Sequence, residues 1–219
     1  REEIENHVLR CAAGVDTRWV DRVWWWAYTL TIPIIPSLPP KLLPEGIVIG
    51  DDGIFRLALT EIELVWVGPG EYWLGDERIN DLYRVDEPDG FFIARLPVAQ
   101  DYTQPAALSG MTWQEALDLC ERITAIEQLS VSLPSTDQWE IAARGVDSRR
   151  YPWGNGYESG AVGLSAPCGA LQMVGDTPQW TCSAEDVYLS GGAADRHCGV
   201  HKLSASFDEQ AAVRPVIRV

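Results

Sequence analysis

Two neighbouring stretches, LPSTDQWEIAARG (residues 133–145) and YPWGN (residues 151–155), decide how this chain is read. Ser135 stands three residues before Gln138, the spacing of a capping box, in which each side chain satisfies a backbone N–H of the other at a helix start. Gly145 is the residue type that ends a helix. A helix over residues 136–144 is predicted. Trp139 and Trp153 can each bury a large apolar area, and Gly154 permits a turn that a side chain would obstruct. Arg144 carries five N–H donors in a fixed fork, suited to satisfying loop carbonyls. All of these are core duties rather than chemistry.

Working outward, TWQE (residues 112–115) repeats the capping-box spacing, and Ala116, Leu117, Cys120, Ile123 and Ile126 then recur at helical intervals. Upstream, GIVIGDDGIFRLAL (46–59) alternates around Asp52-Gly53, a hairpin signal. ELVWVGPGEYWLGD (63–76) gives two more strands around Pro69-Gly70, and FFIARLPVA (91–99) another. Beyond Gly145 no long helical period appears, and the chain closes on the strand-like VIRV (216–219). Two helices among short hairpins and long irregular loops define an α+β fold. At the other end, residues 2–13 and 17–29 read as helices, the second carrying Trp19, Trp24, Trp25 and Trp26. PIIPSLPPKLLP (33–44) reads as a stiff linker. The expected division is therefore a helical extension with its linker, residues 1–45, and a domain over residues 46–219.

With 219 residues, 46% of them hydrophobic, the chain can build a substantial core. A net charge of −15 argues against a nucleic-acid surface, which needs clustered Lys and Arg. The five cysteines (Cys11, Cys120, Cys168, Cys182 and Cys198) are odd in number and form no CxxC pair. They read as reduced, mostly buried thiols of a cytoplasmic protein. The charged start REEIENHVLR is no signal peptide and reads as the opening of a piece of a longer chain. VWWWAYTLTIPIIP (23–36) is too short to span a bilayer as a helix and is broken by prolines. No nucleotide-binding glycine motif and no Ser-His-Asp arrangement is present.

The two opening stretches resemble the formylglycine-generating enzyme, or sulfatase-modifying factor, family, whose helix and Tyr-Pro-Trp-Gly-Asn loop they match. LVWVGPGEYWLGD (64–76) resembles that family's opening hairpin, and TWQEALDLCERI (112–123) its first helix. MVGDTPQWT (173–181), SGG (190–192) and VIRV resemble its later segments. The resemblance runs over residues 62–219 and implies a C-type-lectin-like fold in which a few strands and two helices scaffold long loops.

Departures from the family pattern bear on function. Active members use a pair of copper-binding cysteines after the Gly-Gly pair; the corresponding positions here are Arg196 and His201. The spacing of His197, Cys198 and His201 on an irregular loop reads as exposed loop residues rather than a metal cluster. The family's calcium-supporting Asn and Glu become Asp176 and Gln179, the latter a poorer ligand for a hard cation. No cofactor and no catalytic residue is therefore expected, with structural calcium near Asp176 and Gln179 the one open candidate.

Change concentrates between Cys182 and Asp208. This resembles the variable proteins of diversity-generating retroelements, which use the same fold and substitute template adenines in a C-terminal segment. Within that window only Glu185 and Lys202 lie outside what substituted Asn codons encode, and no Asn follows Asn155. The resemblance implies a ligand-binding surface on Asp186, Tyr188, Ala194, Asp195, His197, Cys198, His201, Ser206 and Phe207, exposed on one face and directed at a protein or other macromolecular partner. Three readings compete with it: an ordinary divergent member whose tail drifted after activity was lost, an oxygenase with an unusual metal site, and a sensor module of a larger effector chain.

Overall fold

The structure is a computed structural model. It describes residues 39–76, 81–104, 110–146, 149–154, 165–175, 177–183, 186–192, 198 and 203–218. The chain divides into two units, Arg1–Pro36 and Ser37–Val219, and the description concerns the second. The helices expected over 2–13 and 17–29 lie outside the described residues. Leu43, at the end of the expected linker, packs against the core of the second unit.

The described strands are β1 (Ile47–Ile49), β2 (Phe55–Leu57), β3 (Glu63–Val67), β4 (Gly70–Asp76), β5 (Asp81–Glu87), β6 (Phe91–Ala94), β7 (Val131–Ser132), β8 (Pro178–Cys182), β9 (Val187–Gly191), β10 (Leu203–Ser204) and β11 (Val216–Arg218). The described helices are α1 (Trp113–Glu127) and α2 (Thr136–Arg144). A six-stranded sheet runs β1-β2-β3-β6-β11-β7, a three-stranded sheet runs β10-β9-β8, and β4 pairs with β5 alone.

The central sheet is covered on both faces. Alternation sends Leu64, Phe92, Ala94 and Ile217 into one apolar cluster with Leu119, Cys120 and Ile123 of α1. It sends Val65, Val67, Phe91, Ile93 and Val216 into another with Trp139, Ile141 and Ala142 of α2. Strand β6 is accordingly buried at all four positions.

Both capping boxes form. Thr112 and Glu115 exchange bonds at the start of α1, and Ser135 and Gln138 do so at α2, which Gly145 ends. The hairpin about Asp52-Gly53 forms as β1–β2, with Gly53 at φ +78. The second expected hairpin does not. The chain turns at Pro69-Gly70, but β3 pairs with β2 and β6 while β4 leaves to pair with β5. This turn is a corner between sheets: β3 already has a neighbour on each side, so β4 has no free edge to join.

One helical position also differs. Ile126, expected on the apolar face of α1, is 37% exposed, and Glu127 beside it is 6% exposed. The Glu127 carboxylate accepts from the Leu59 N–H (3.1 Å), the Thr60 N–H (2.6 Å) and the Thr60 hydroxyl (2.7 Å), tying the helix end to the turn between β2 and β3. Buried charge is tolerated only with such a full set of partners. Glu127→Ala leaves two backbone donors unsatisfied and is expected to cost about 3 kcal/mol of unfolding free energy. Urea denaturation checks this; a loss below about 1 kcal/mol would mean that water replaces the carboxylate.

Candidate functional site

The segment marked by sequence as the site folds around β8, β9 and β10. Trp180 pairs with Leu189 and Thr181 with Tyr188, and Tyr188 is also opposite Ser204. Isolated bridges from Cys182 to Ser135 and from Gln179 to Ala212 fasten this sheet to the start of α2 and to the C-terminal segment.

Its inner side is unusually polar. Gln179, Thr181 and Ser190 are all buried. The Thr181 and Ser190 hydroxyls satisfy each other at 2.9 Å. Gln179 Oε1 accepts from Trp139 Nε1 (2.9 Å) and from Nε of the fully buried Arg214 (2.8 Å), while its Nε2 donates to the Gln172 carbonyl (2.6 Å). The remaining Arg214 donors reach the carbonyls of Ala94 (2.6 Å), Arg95 (2.8 Å) and Leu171 (2.6 Å). Gly191 must be glycine: its φ is +82, and a Cβ there would stand 2.8 Å from the Met173 carbonyl oxygen.

The calcium expectation named Gln179 and Asp176, and the geometry bears on the first of them. Both lone pairs of Gln179 Oε1 are taken by N–H donors, one of them on a guanidinium, so the side chain does not fit a cation. Asp176 lies outside the described residues.

The outer edge carries the other marked residues. Asp186 is exposed in the turn between β8 and β9, where its N–H donates to the Ser183 hydroxyl (3.2 Å). Tyr188 is half-buried. Ser206 is exposed, and its N–H donates to Glu209 Oε1 (3.1 Å). Phe207 is 63% exposed, and its carbonyl accepts from the Trp113 N–H at 3.3 Å. Trp113 packs edge-on against the buried Trp180, ring centres 5.4 Å apart. The described part of the site is thus one edge formed by the ends of β9 and β10, the turn at 205–209 and the start of α1. Trp113 joins it without any mark in the sequence beyond its place after the Thr112 cap.

Ala194, Asp195, His197 and His201, like Arg196, lie outside the described residues. Cys198 departs from the expectation of exposure. It is 1% exposed, its N–H donates to the Arg150 carbonyl (2.8 Å), and it packs in the cluster around Trp139, because a thiol behaves as a small apolar group and is readily buried. Burial raises all four described thiols, Cys120 and Cys198 to about 12 and Cys168 and Cys182 in the same direction. None of these four is a thiolate at neutral pH, the form that attacks or binds a soft metal. Among the described residues no group of three His, Cys, Asp or Glu side chains converges, and no helix is long and apolar enough to cross a membrane.

The architecture is that of the C-type-lectin-like α+β domains of the formylglycine-generating type. Residues 102–164 match the sulfatase-modifying factor enzyme 1-like domain family. The structure of PvdO from Pseudomonas aeruginosa superposes with a TM-score of 0.62 at 13% identity, covering 76% of this chain and 98% of that one. Treponema denticola variable protein 1 superposes with a TM-score of 0.56 at 12% identity, with the same coverage of 76% and 98%. No curated protein matches the sequence.

Two predictions follow from the geometry. Gln179→Leu strands the Trp139 indole N–H and the Arg214 Nε–H, while the Gln172 carbonyl keeps Arg214 Nη2 (3.3 Å), and is expected to cost about 3 kcal/mol or to prevent folding, read by thermal denaturation. Cys198 ionises in the unfolded chain near 9.0 but only at about 12 when folded. Unfolding then releases a proton between those values, so stability falls as pH rises from 9 to 12. Cys198→Ala should flatten that decline by at most about 1.4 kcal/mol per pH unit, measured by urea titrations across the range.

Proposed function

We propose that the chain is a non-catalytic binding protein that displays a variable C-terminal surface on a C-type-lectin-like scaffold and takes a protein or other macromolecular ligand. One observation supports this reading: three of the marked residues, Asp186, Ser206 and Phe207, stand apart from the framework, whereas Tyr188 is half-buried and Cys198 belongs to the core. Asp186, Ser206 and Phe207 face solvent, while the flanking Trp180, Thr181 and Ala211 to Ile217 are buried. Side chains at the edge can therefore change without disturbing the core, and an exposed aromatic among small polar residues is the composition of a tolerant binding surface. The similarity to a protein named as a variable protein supports the reading, as do Arg196 and His201 where active relatives have cysteines.

On this view the remaining marked residues, Ala194, Asp195, His197 and His201, belong to the same surface, and the protein works in the cytoplasm.

Sequencing of the coding region in related isolates tests the reading. Amino-acid differences should concentrate between residues 182 and 208, at the exposed positions, with the codons for Trp180 and Ala211 to Ile217 unchanged. Uniform sequence at Asp186, Tyr188, Ser206 and Phe207 would refute it. The match to a family that includes enzymes keeps an oxygenase as the second reading. Copper(I) titration with an assay on a Cys-containing peptide decides between them: turnover establishes the oxygenase, and no turnover leaves the binding function.

A further inference from the structure

We infer that an open cavity at the C-terminal end of α1 is a separate binding site, one that takes a small organic cation with an apolar or aromatic body. The cavity holds about 660 Å³ and is lined by Arg56, Leu59, Glu61, Leu96, Tyr102 and Ile126 among others. That volume lies within the range of small-ligand sites.

Most of its polar lining is already satisfied internally. The Arg56 guanidinium donates to both oxygens of Asp52 (2.8 and 2.6 Å) and to Glu63 (3.0 Å). Asp101 accepts from the N–H (3.2 Å) and hydroxyl (2.7 Å) of Thr103, and Gln104 Nε2 donates to the Leu96 carbonyl (2.8 Å). Glu127 fixes the wall at Leu59 and Thr60. Two polar groups are left over: the Glu61 carboxylate and the Tyr102 hydroxyl have no hydrogen-bond or ion-pair partner among the described residues.

These two residues also hold left-handed backbone, at φ 57 and φ 68, a conformation that costs an L side chain about 1 kcal/mol. The Tyr102 turn is closed by its N–H to the Ala99 carbonyl (3.0 Å) and by the Ala99 N–H to the Thr103 carbonyl (3.0 Å). Beside them, Leu59 is 69% exposed. With Ile126 it presents apolar surface that a ligand would cover.

Charge selects the ligand class. Glu61, Glu63 and Asp101 line the cavity against the single guanidinium of Arg56, which is already ion-paired. An ammonium or guanidinium group would meet Glu61, and its apolar body would cover Leu59 and Ile126 beside Tyr102. A free amine and a Lys or Arg side chain of a partner protein share this chemistry. Helix α1 spans 15 residues, about 22 Å, between this cavity and the edge at Trp113 and Phe207, so the two sites are separate in space.

The test is a chemical-shift titration of the whole 15N-labelled chain with phenethylamine, phenethyl alcohol and phenylacetate. Phenethylamine should give saturable shifts at residues 59–61 and 102–103 and bind at least about tenfold more tightly than the other two, a difference of about 1.4 kcal/mol. Glu61→Gln should weaken the amine about fivefold and leave the alcohol unchanged. Ile126→Arg, at an exposed position, should block the cavity with a cation of its own while leaving the melting temperature in place. Acetyl-Leu-Lys-amide distinguishes the sources: tighter binding than phenethylamine assigns the site to a protein side chain, weaker binding to a free amine, and either supports the site. Equal binding of the three probes, shifts located elsewhere, or no saturation overturns it.

Discussion

The structure depends on one buried cation without a counter-charge. Arg214 is fully buried, and burial lowers its guanidinium from the usual value, yet every acceptor that it meets is a neutral carbonyl or amide oxygen. Such a group is tolerable only when all its donors are met, because an unpaired donor on a buried charge costs several kcal/mol. The acceptors come from β6, from residues 171 and 172, and from β8, three places far apart in sequence. A fold with short strands and long connections lacks the repeated ladder bonds that hold a large sheet in register. Arg214 supplies a single centre that fixes those connections at once, and Gln179 extends it to Trp139 on α2. The guanidinium fork suits this role, since its donors point outward in one plane toward several chain segments.

How far the sequence could be read follows from which signals are local. The capping boxes at Thr112 and Ser135 involve residues three apart, and both helices begin where those residues place them. The Asp52-Gly53 turn is equally local. Strands β8 and β9 are not: beside the apolar Trp180 and Leu189 they bury Gln179, Thr181 and Ser190, and Gln179 is satisfied by Trp139 and Arg214, both far away in the chain. Trp180 alternates with polar neighbours as in a half-buried strand, yet the polar face is buried as well. Strand β5, DLYRVDE, pairs with β4 alone and shows no apolar run. The corner at Pro69-Gly70 was unreadable for a related reason: two strands around a turn look alike in sequence whether they pair together or part to different sheets.

The candidate site was legible to the same degree. Asp186 and Ser206 lie at the surface as their polarity suggests, whereas the exposure of the apolar Phe207 follows from its place in the turn at 205–209. Cys198 sits in the same run yet is buried, since a single thiol gives no periodicity from which its side could be inferred. The exchange of Ile126 and Glu127 on α1 has its cause in the turn at Leu59 and Thr60, more than sixty residues upstream, and no helical pattern encodes it. Tyr102 is similar, because its left-handed backbone is set by the turn from Ala99 to Thr103 rather than by its own residue type.

Which side chains the framework depends on follows from how its hydrogen bonds close. Substitutions couple energetically when residues share a hydrogen-bond network or a packed contact, and are otherwise nearly additive. The Arg214–Gln179–Trp139 network is closed on itself and on backbone carbonyls, and the Thr181–Ser190 pair is closed within the sheet. Phe207 reaches the framework through its carbonyl to Trp113, a group every residue supplies, and the Ser206 N–H, which any residue but proline supplies, donates to Glu209. Contacts of this kind survive a change of side chain. The polar interior of the small sheet, which hides the strands from a reader of the sequence, is also satisfied without any side chain of the outer edge.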